Sequence, residues 1–588
     1  MKKLLGLVFA ILMVTTIAST PDPPTAKADL VLRHGKIYTI DSARSWAESV
    51  AIKDGRIVYV GADAGVESWV GAKTKVVDLQ GRFVMPSFID AHTHPISSGV
   101  EVNRCDLTEQ STKEEILAKI KGCAEAHPKS AWILGNGWAL PAFPDANPKK
   151  EWLDSVVLDR PALFESADGH SAWANSKALQ AFGITKDTPD PPNGRIERDA
   201  NGEPSGALRE SAADIAFDRA PKATVQEVDE GLKTALSQMA MYGITGFQDA
   251  DVSGLDGKRM SVGELETYRK AEKNGTLTAH VSAAIYADPF GAQMSGQKAS
   301  ENVSLDHVLN QIQNFKRTRD AFHTQLITAG TVKIFEDGVV ETETAAMLHP
   351  YLDTGKPGIL NWEPEKLNPF VAALDKEHFQ VHFHAIGDHA VRCALDAIEF
   401  ARKQNGTRDW RPLIAHLQFI DPADVPRFAS LNVVPVFQPL WAYEDPYVHD
   451  LTLPHITPET ARWMYPIESV ANYGATLAMG SDWSVSSMNP LEGIEVAVTR
   501  QSFEGPTASD QPYHPEERVS VATGLAAYTI GSAYACFWEK ETGSLETGKS
   551  ADLIVLSENP FKVPPTALSE IKVLMTLFQG KVIYNAEK

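Results

Sequence analysis

Cysteine is scarce. The four residues, Cys105, Cys123, Cys393 and Cys536, form no C-x-x-C pair, which argues against a thiolate zinc site. Cys105 and Cys123 could join as a disulfide in an oxidising compartment, with two buried thiols as the alternative. Long apolar runs are missing after residue 30, where charge, Gly or Pro breaks each run well short of the ~20 residues a spanning helix needs, so no membrane span is expected in the mature chain. Positive charge is also in deficit: 55 Lys and Arg stand against 76 Asp and Glu, for a formal charge of −21. Residues 1–28 contribute a net +2, leaving −23 for the rest, which speaks against nucleic acid or an anionic membrane as partner. No Gly-rich phosphate fingerprint follows the first strand of the central region.

What is present begins with Lys2 and Lys3 ahead of LLGLVFAILMVTTIA, the layout of a secretory signal. Ala26-Lys27-Ala28 offers an A-x-A cleavage site, which sets residues 1–28 as signal and Asp29 as the mature start, with export to the periplasm or medium. A cut near Ala18, or an uncleaved anchor, is the alternative. Residues 29–85 and 541–588 carry short alternating segments with Gly turns, such as SVAIKDGRIVYVG and KVLMTLFQGKVIYNAE, and are expected to build one β-sandwich together.

Between them, over 86–540, apolar runs alternate with helical patterns: FIDAHTH, ITGFQDA, HVSAAIY, TVKIFEDG, FQVHFHAIGD, PLIAHLQFI, NVVPVFQPL and ATLAMGSDW. Eight such runs fit an α/β fold of the (β/α)8 TIM-barrel type, with a doubly wound open sheet as the competing architecture. The stretch from about 103 to 220 interrupts this order with its own helices and turns, and is expected to form a lid or subdomain over the barrel mouth.

His92 and His94 in IDAHTHP lie two apart on a strand, so both imidazoles project from one face and can reach one metal ion. Polar groups also end the later runs: Lys333, His384, His416 and Asp482. A lysine in an apolar strand needs an ion partner, a lowered pKa or a covalent change. Glu336 or Asp337 could pair with it, or carbamylation could turn it into an anion able to bridge two cations. His170 and Trp138 in the inserted stretch, and Trp441 after the seventh run, are candidate substrate contacts. Glu210 and Tyr443 are weaker ones.

The motifs FIDAHTH, ESADGHSAWANSKAL, GRIERDANGEPSGALRE, VKIFEDG, HFHAIGD, AHLQFIDPADVPRFASLNV, AMGSDW and GSLETGKSADLIVL resemble those of the family-3 amidohydrolases, in the amidohydrolase superfamily. The resemblance covers nearly all of the chain after the signal. It implies that His92, His94 and Asp482 hold one divalent metal. Carbamylated Lys333 would bridge it to a second, held by His384 and His416. His382 shares its strand face with His384, which is preferred because it directly precedes AIGD. Ser87, Ala415 and Ser484 depart from the family pattern without removing a ligand, and bear on substrate more than on metal.

One or two divalent ions, zinc by ligand type, would activate water, with Asp482 as catalytic acid and base. The expected activity is hydrolysis of a non-peptide carbon–nitrogen bond (amide, N-acyl or N-formyl) in a small molecule, and a homodimer is a family-level expectation. The rivals are a catalytically silent binding or regulatory protein on the same fold, and a deaminase or lactonase using the same site.

Overall fold

Eight of the apolar runs lie side by side in one sheet, in chain order and all parallel. They are β1 (Phe88–Thr93), β2 (Ile244–Val252), β3 (His280–Tyr286), β4 (Ile327–Phe335), β5 (Gln380–Ala385), β6 (Leu413–His416), β7 (Val434–Phe437) and β8 (Ala478–Met479). The computed structural model describes residues 26–253, 263–289, 304–505 and 511–587. The first 25 residues of the expected signal lie outside the described residues. No helix among the described residues is long and apolar enough to cross a membrane.

The strands are buried almost throughout, as expected where a parallel sheet is covered by helices on its outside and closed on its inside. β8 is short, and the seam between it and β1 is closed by groups just beyond it. Asp482 N donates to His92 O (2.7 Å) and His94 N to Trp483 O (3.1 Å). The Asp90 carboxylate accepts from Ser481 N at 3.0 Å and Ser481 Oγ at 2.6 Å, so a side chain completes the ladder. Burial pushes the Asp90 carboxyl up to about 7.

Helix Val225–Met241 opens with a capping box, Thr224 with Glu227, which satisfies end amides that otherwise have no partner. It packs on helix Pro95–Val102 so closely that a Cβ on Gly99 would stand 2.1 Å from the Gly231 carbonyl oxygen. Glycine at 99 thus fixes how the helix after β1 lies against the barrel.

The two chain ends meet. Leu553–Leu556 pairs antiparallel with Phe83–Pro86, placing both termini in one six-stranded sheet that faces a four-stranded sheet from residues 30–78. Leu32, Ile37, Val50, Ile57, Val84, Leu553 and Leu577 fill the space between them. The inserted stretch forms a separate six-stranded sheet, ordered Gly194–Arg198, Pro204–Glu210, Ser171–Ala174, Ala162–Ser166, Ile133–Trp138 and Cys105–Asp106. Cys105 is disulfide-bonded to Cys123, tying its edge strand to helix Lys113–Ala126.

Candidate metal centre

Strand ends at the barrel mouth bring the polar residues together. His92 Nε2 lies 3.4 Å and His94 Nε2 3.1 Å from Asp482 Oδ1, and His416 Nδ1 lies 3.8 Å from Asp482 Oδ2. Asp482 Oδ1 and His416 Nδ1 are nonetheless buried without a hydrogen-bond partner. Ligand atoms of His92, His416 and Asp482 all lie within 4.8 Å of one another. Buried polar atoms left without hydrogen bonds cost about 1–3 kcal/mol each, and such clustering is what a cation site requires. The donor set of imidazole nitrogens and a carboxylate oxygen fits a divalent transition metal.

The backbone is strained at two of these positions. His416 has φ of 75° and Asp482 of 55°, left-handed values that non-glycine residues avoid at a cost of roughly 1–3 kcal/mol each. His416 ends β6 and Asp482 lies three residues past the end of β8, and the turns there aim their side chains at the cluster.

Burial holds His92, His382, His384 and His416 well below the ordinary imidazole range, so they are neutral and carry lone pairs. The Lys333 charge adds to the effect on His92. His94 goes the other way: burial lowers it, but the adjoining Asp482 carboxylate outweighs that and raises it.

Lys333 is fully buried, with Nζ 3.2 Å from His92 Nε2 and 4.7 Å from the centre of the Phe335 ring. Asp337 is engaged elsewhere: its carboxylate accepts from Ala346 N, Ile386 N and Gly387 N at 2.8–3.0 Å. Neither carboxyl oxygen of Glu336 has a hydrogen-bond partner, and burial raises that group well above its usual range.

His384 stands in the same wall, its ring 4.4 Å from that of His416. Its Nε2 faces Gly338 O at 3.3 Å. Donation there leaves the lone pair of the neutral ring on Nδ1. His170 reaches the site from the inserted domain, its ring 5.1 Å from that of His384. Its Nδ1 is 2.9 Å from Glu210 Oε2, and Thr344 Oγ1 donates to Glu210 Oε1 at 2.5 Å. Burial opposes protonation of His170, but the Glu210 charge wins and lifts it to about 9. Trp441 lies nearly parallel to His416, 12° between planes and 5.6 Å between centres.

Trp138 is a correction. Its indole is fully buried in the core of the inserted domain, 5.6 Å from Phe143 and 6.4 Å from Trp173, and Nε1 donates to Phe164 O at 3.1 Å. With its edge spent on a backbone carbonyl and its faces on aromatic neighbours, it does not wall the site. Two residues that sequence reasoning did not select as site groups are His382, which contacts His92 directly at 2.8 Å, and Gln248, which contacts His382. An H-x-H at 382–384 was visible in the sequence, but nothing in it marked Gln248.

A closed parallel barrel with an H-x-H on its first strand, lysine on the fourth, histidines on the fifth and sixth and aspartate after the eighth is the scaffold of a metal-dependent hydrolase. Comparison makes the assignment specific: the chain belongs to the amidohydrolase family, whose model matches residues 75–584. Protein LONG AFTER FAR-RED 3 of Arabidopsis thaliana is 33% identical over 575 residues, covering 97% of this chain and 94% of that protein. The N-substituted formamide deformylase of Arthrobacter pascens is 27% identical over 572 residues, covering 95% and 99%. A metal-dependent hydrolase from Pyrococcus horikoshii OT3 has the same fold, with a TM-score of 0.70 at 23% identity over 91% of this chain and 99% of that one.

Proposed function

We propose that this protein is an exported hydrolase that cleaves a non-peptide carbon–nitrogen bond, N-formyl or N-acyl, in a small molecule. The observation that carries the reading is the convergence of His92, His416 and Asp482, two of whose buried atoms lack any hydrogen bond. His92, His94 and Asp482 would hold one divalent ion, zinc by donor type, and Lys333 as its carbamate, with His384 and His416, a second. When bound, such an ion lowers the pKa of water toward neutrality and polarises a carbonyl.

Asp482 accepts the proton of the attacking water and returns it to the departing nitrogen, which makes one carboxylate both base and acid. Its Oδ1 is turned into the cluster, 3.4 Å from His92 Nε2 and 3.1 Å from His94 Nε2. His170, held through Nδ1 by Glu210, keeps Nε2 as its other edge and can orient the substrate's amide or carbonyl from beside His384. Trp441 offers an apolar face for the acyl or amine portion. The name of the formamide deformylase relative supports the bond class. Export is supported by the Cys105–Cys123 disulfide, a bond that persists in oxidising compartments.

The test pairs elemental analysis of the mature chain with product analysis on a panel of N-formyl and N-acyl amines. The expected result is bound zinc that decreases in Lys333→Ala, with release of amine and acid in equal amounts. Ammonia as the only amine product would convert the reading to a deaminase, and acid without amine to a lactonase. No bound metal after metal-replete purification would overturn it in favour of a binding protein.

A further inference from the structure

His92 meets the cluster through Nε2, which requires its proton to sit on Nδ1. That proton has a buried acceptor: His382 Nε2, 2.8 Å away. For His382 Nε2 to accept, the His382 proton must lie on Nδ1, and that nitrogen is hydrogen-bonded to Gln248 Oε1. The amide oxygen can only accept, so it forces the tautomer. Gln248 is held in that orientation by its own Nε2, which donates to Ser282 Oγ at 3.2 Å.

The chain Ser282, Gln248, His382, His92 thus runs across the barrel interior from β3 through β2 and β5 to β1, every member buried. Each bond fixes the proton position of the next. Register explains why His382 and not His384 takes this place: His382 is opposite Lys333 in the β4–β5 ladder, whereas His384 is opposite Phe335, two residues nearer the mouth.

We infer that Gln248 and His382 are positioning residues that lock His92 in the Nδ1–H tautomer and aim Nε2 at the metal position, an inference that rests on the metal-dependent reading above. Metal-ligating histidines usually donate their second nitrogen to a carboxylate, a backbone carbonyl or a water. Here the acceptor is a neutral imidazole, which orients the ring without adding negative charge, so an ion held by His92 remains more electron-poor than with a carboxylate behind the ligand.

The experiment uses the full-length mature protein loaded with zinc, and with cobalt(II) for spectroscopy. Gln248→Met keeps side-chain length but removes the acceptor. Gln248→Glu restores an acceptor for His382 Nδ1. His382→Phe removes the acceptor of His92, and His92→Ala removes the ligand. Zinc affinity is read by chelator competition, the cobalt environment by its visible absorption, and folding by the melting temperature of each metal-free variant.

The expected result is that Gln248→Met and His382→Phe weaken zinc binding by roughly 10–100-fold and shift the cobalt bands, while Gln248→Glu recovers most of both. Wild-type affinity and spectrum in Gln248→Met, with metal binding lost in His92→Ala, would overturn the relay and leave the metal reading intact. Unchanged metal binding in His92→Ala would overturn the metal reading itself.

Discussion

Both ends of the barrel bury ionisable side chains, and they treat them in opposite ways. At the end facing the β-sandwich, His280 Nε2 lies 2.9 Å from Asp552 Oδ2. Asp552 Oδ1 accepts from Ser550 Oγ and Gln579 N, each at 2.8 Å. Strand β3 is thereby tied to the C-terminal sheet by a carboxylate whose oxygens are both satisfied. At the mouth, Asp482 Oδ1 and His416 Nδ1 are equally buried and meet no well-formed hydrogen bond, only the other members of the cluster, and their backbones are strained as well. The closed pair has the pattern of a structural element, and the open cluster that of a ligand site.

The largest effect expected from breaking this contrast is on turnover. Asp482→Asn keeps the size of the side chain but cannot take up the water's proton, so turnover should fall by roughly 10²–10⁴-fold. The melting temperature of the metal-free protein should stay the same or rise, since functional clusters are held at the expense of stability. A variant that unfolds instead would make Asp482 a structural residue like Asp552. Steady-state kinetics together with calorimetry decides.

Asp552→Asn should show the reverse. Removing one partner of a buried pair costs about 3–5 kcal/mol, while turnover per folded molecule stays at the wild-type level. The pH dependence has a definite sign. Burial alone would raise the Asp552 carboxyl, but hydrogen bonding and the charge of His280 hold it below its ordinary value. The unfolded chain therefore binds this proton more readily than the folded one. The resulting stability is complete above the unfolded pKa and is lost as pH falls through the folded one. Denaturant unfolding across the acid range should show wild type losing this increment and Asp552→Asn lacking it.

The disulfide comes next. Cys105 and Cys123 enclose a short loop in the inserted domain, and replacing both by serine should cost about 3 kcal/mol. That loss should appear in the unfolding of the inserted domain and leave metal content unchanged. A parallel loss of metal would mean that the insertion and the barrel mouth unfold as one unit.

Much of this was legible in the sequence, because strand order and residue type suffice to place H-x-H, lysine, two histidines and aspartate at the ends of the first, fourth, fifth, sixth and eighth strands. The eight runs form the barrel that their alternation with helical patterns implied. What could not be read depends on depth and direction. A strand's two-residue period puts His382 and His384 on one face, and strand direction puts His384 nearer the mouth, but neither shows that the deeper His382 meets His92 across the barrel. Gln248 is one of several polar residues in β2, beside Thr245, Asp249 and Asp251, and nothing singles it out until His382 is folded against it. The left-handed backbone at His416 and Asp482 belongs to the turns at the ends of β6 and β8; histidine and aspartate tolerate it better than most residues, but that tolerance does not mark these two among the chain's other histidines and aspartates. Trp138 was attractive as an aromatic residue near His170 in sequence, but the sheet of the inserted domain turns it toward Phe143 and Trp173.

The smallest effect should come from Trp441, whose ring lies on His416. An aromatic pair of this kind contributes about 0.5–1.5 kcal/mol beyond the area it buries, so Trp441→Ala should lower kcat/KM by roughly 2–10-fold, and Trp441→Phe by less. How the loss divides between kcat and KM separates two roles. If the indole chiefly steadies His416, kcat falls for every substrate, and metal affinity falls with it. If it chiefly walls the mouth, KM rises most for substrates with a large apolar amine or acyl portion, and small formamides are spared. The stack on His416 fixes one face of the indole, so the size dependence of the KM change shows whether the other meets the substrate.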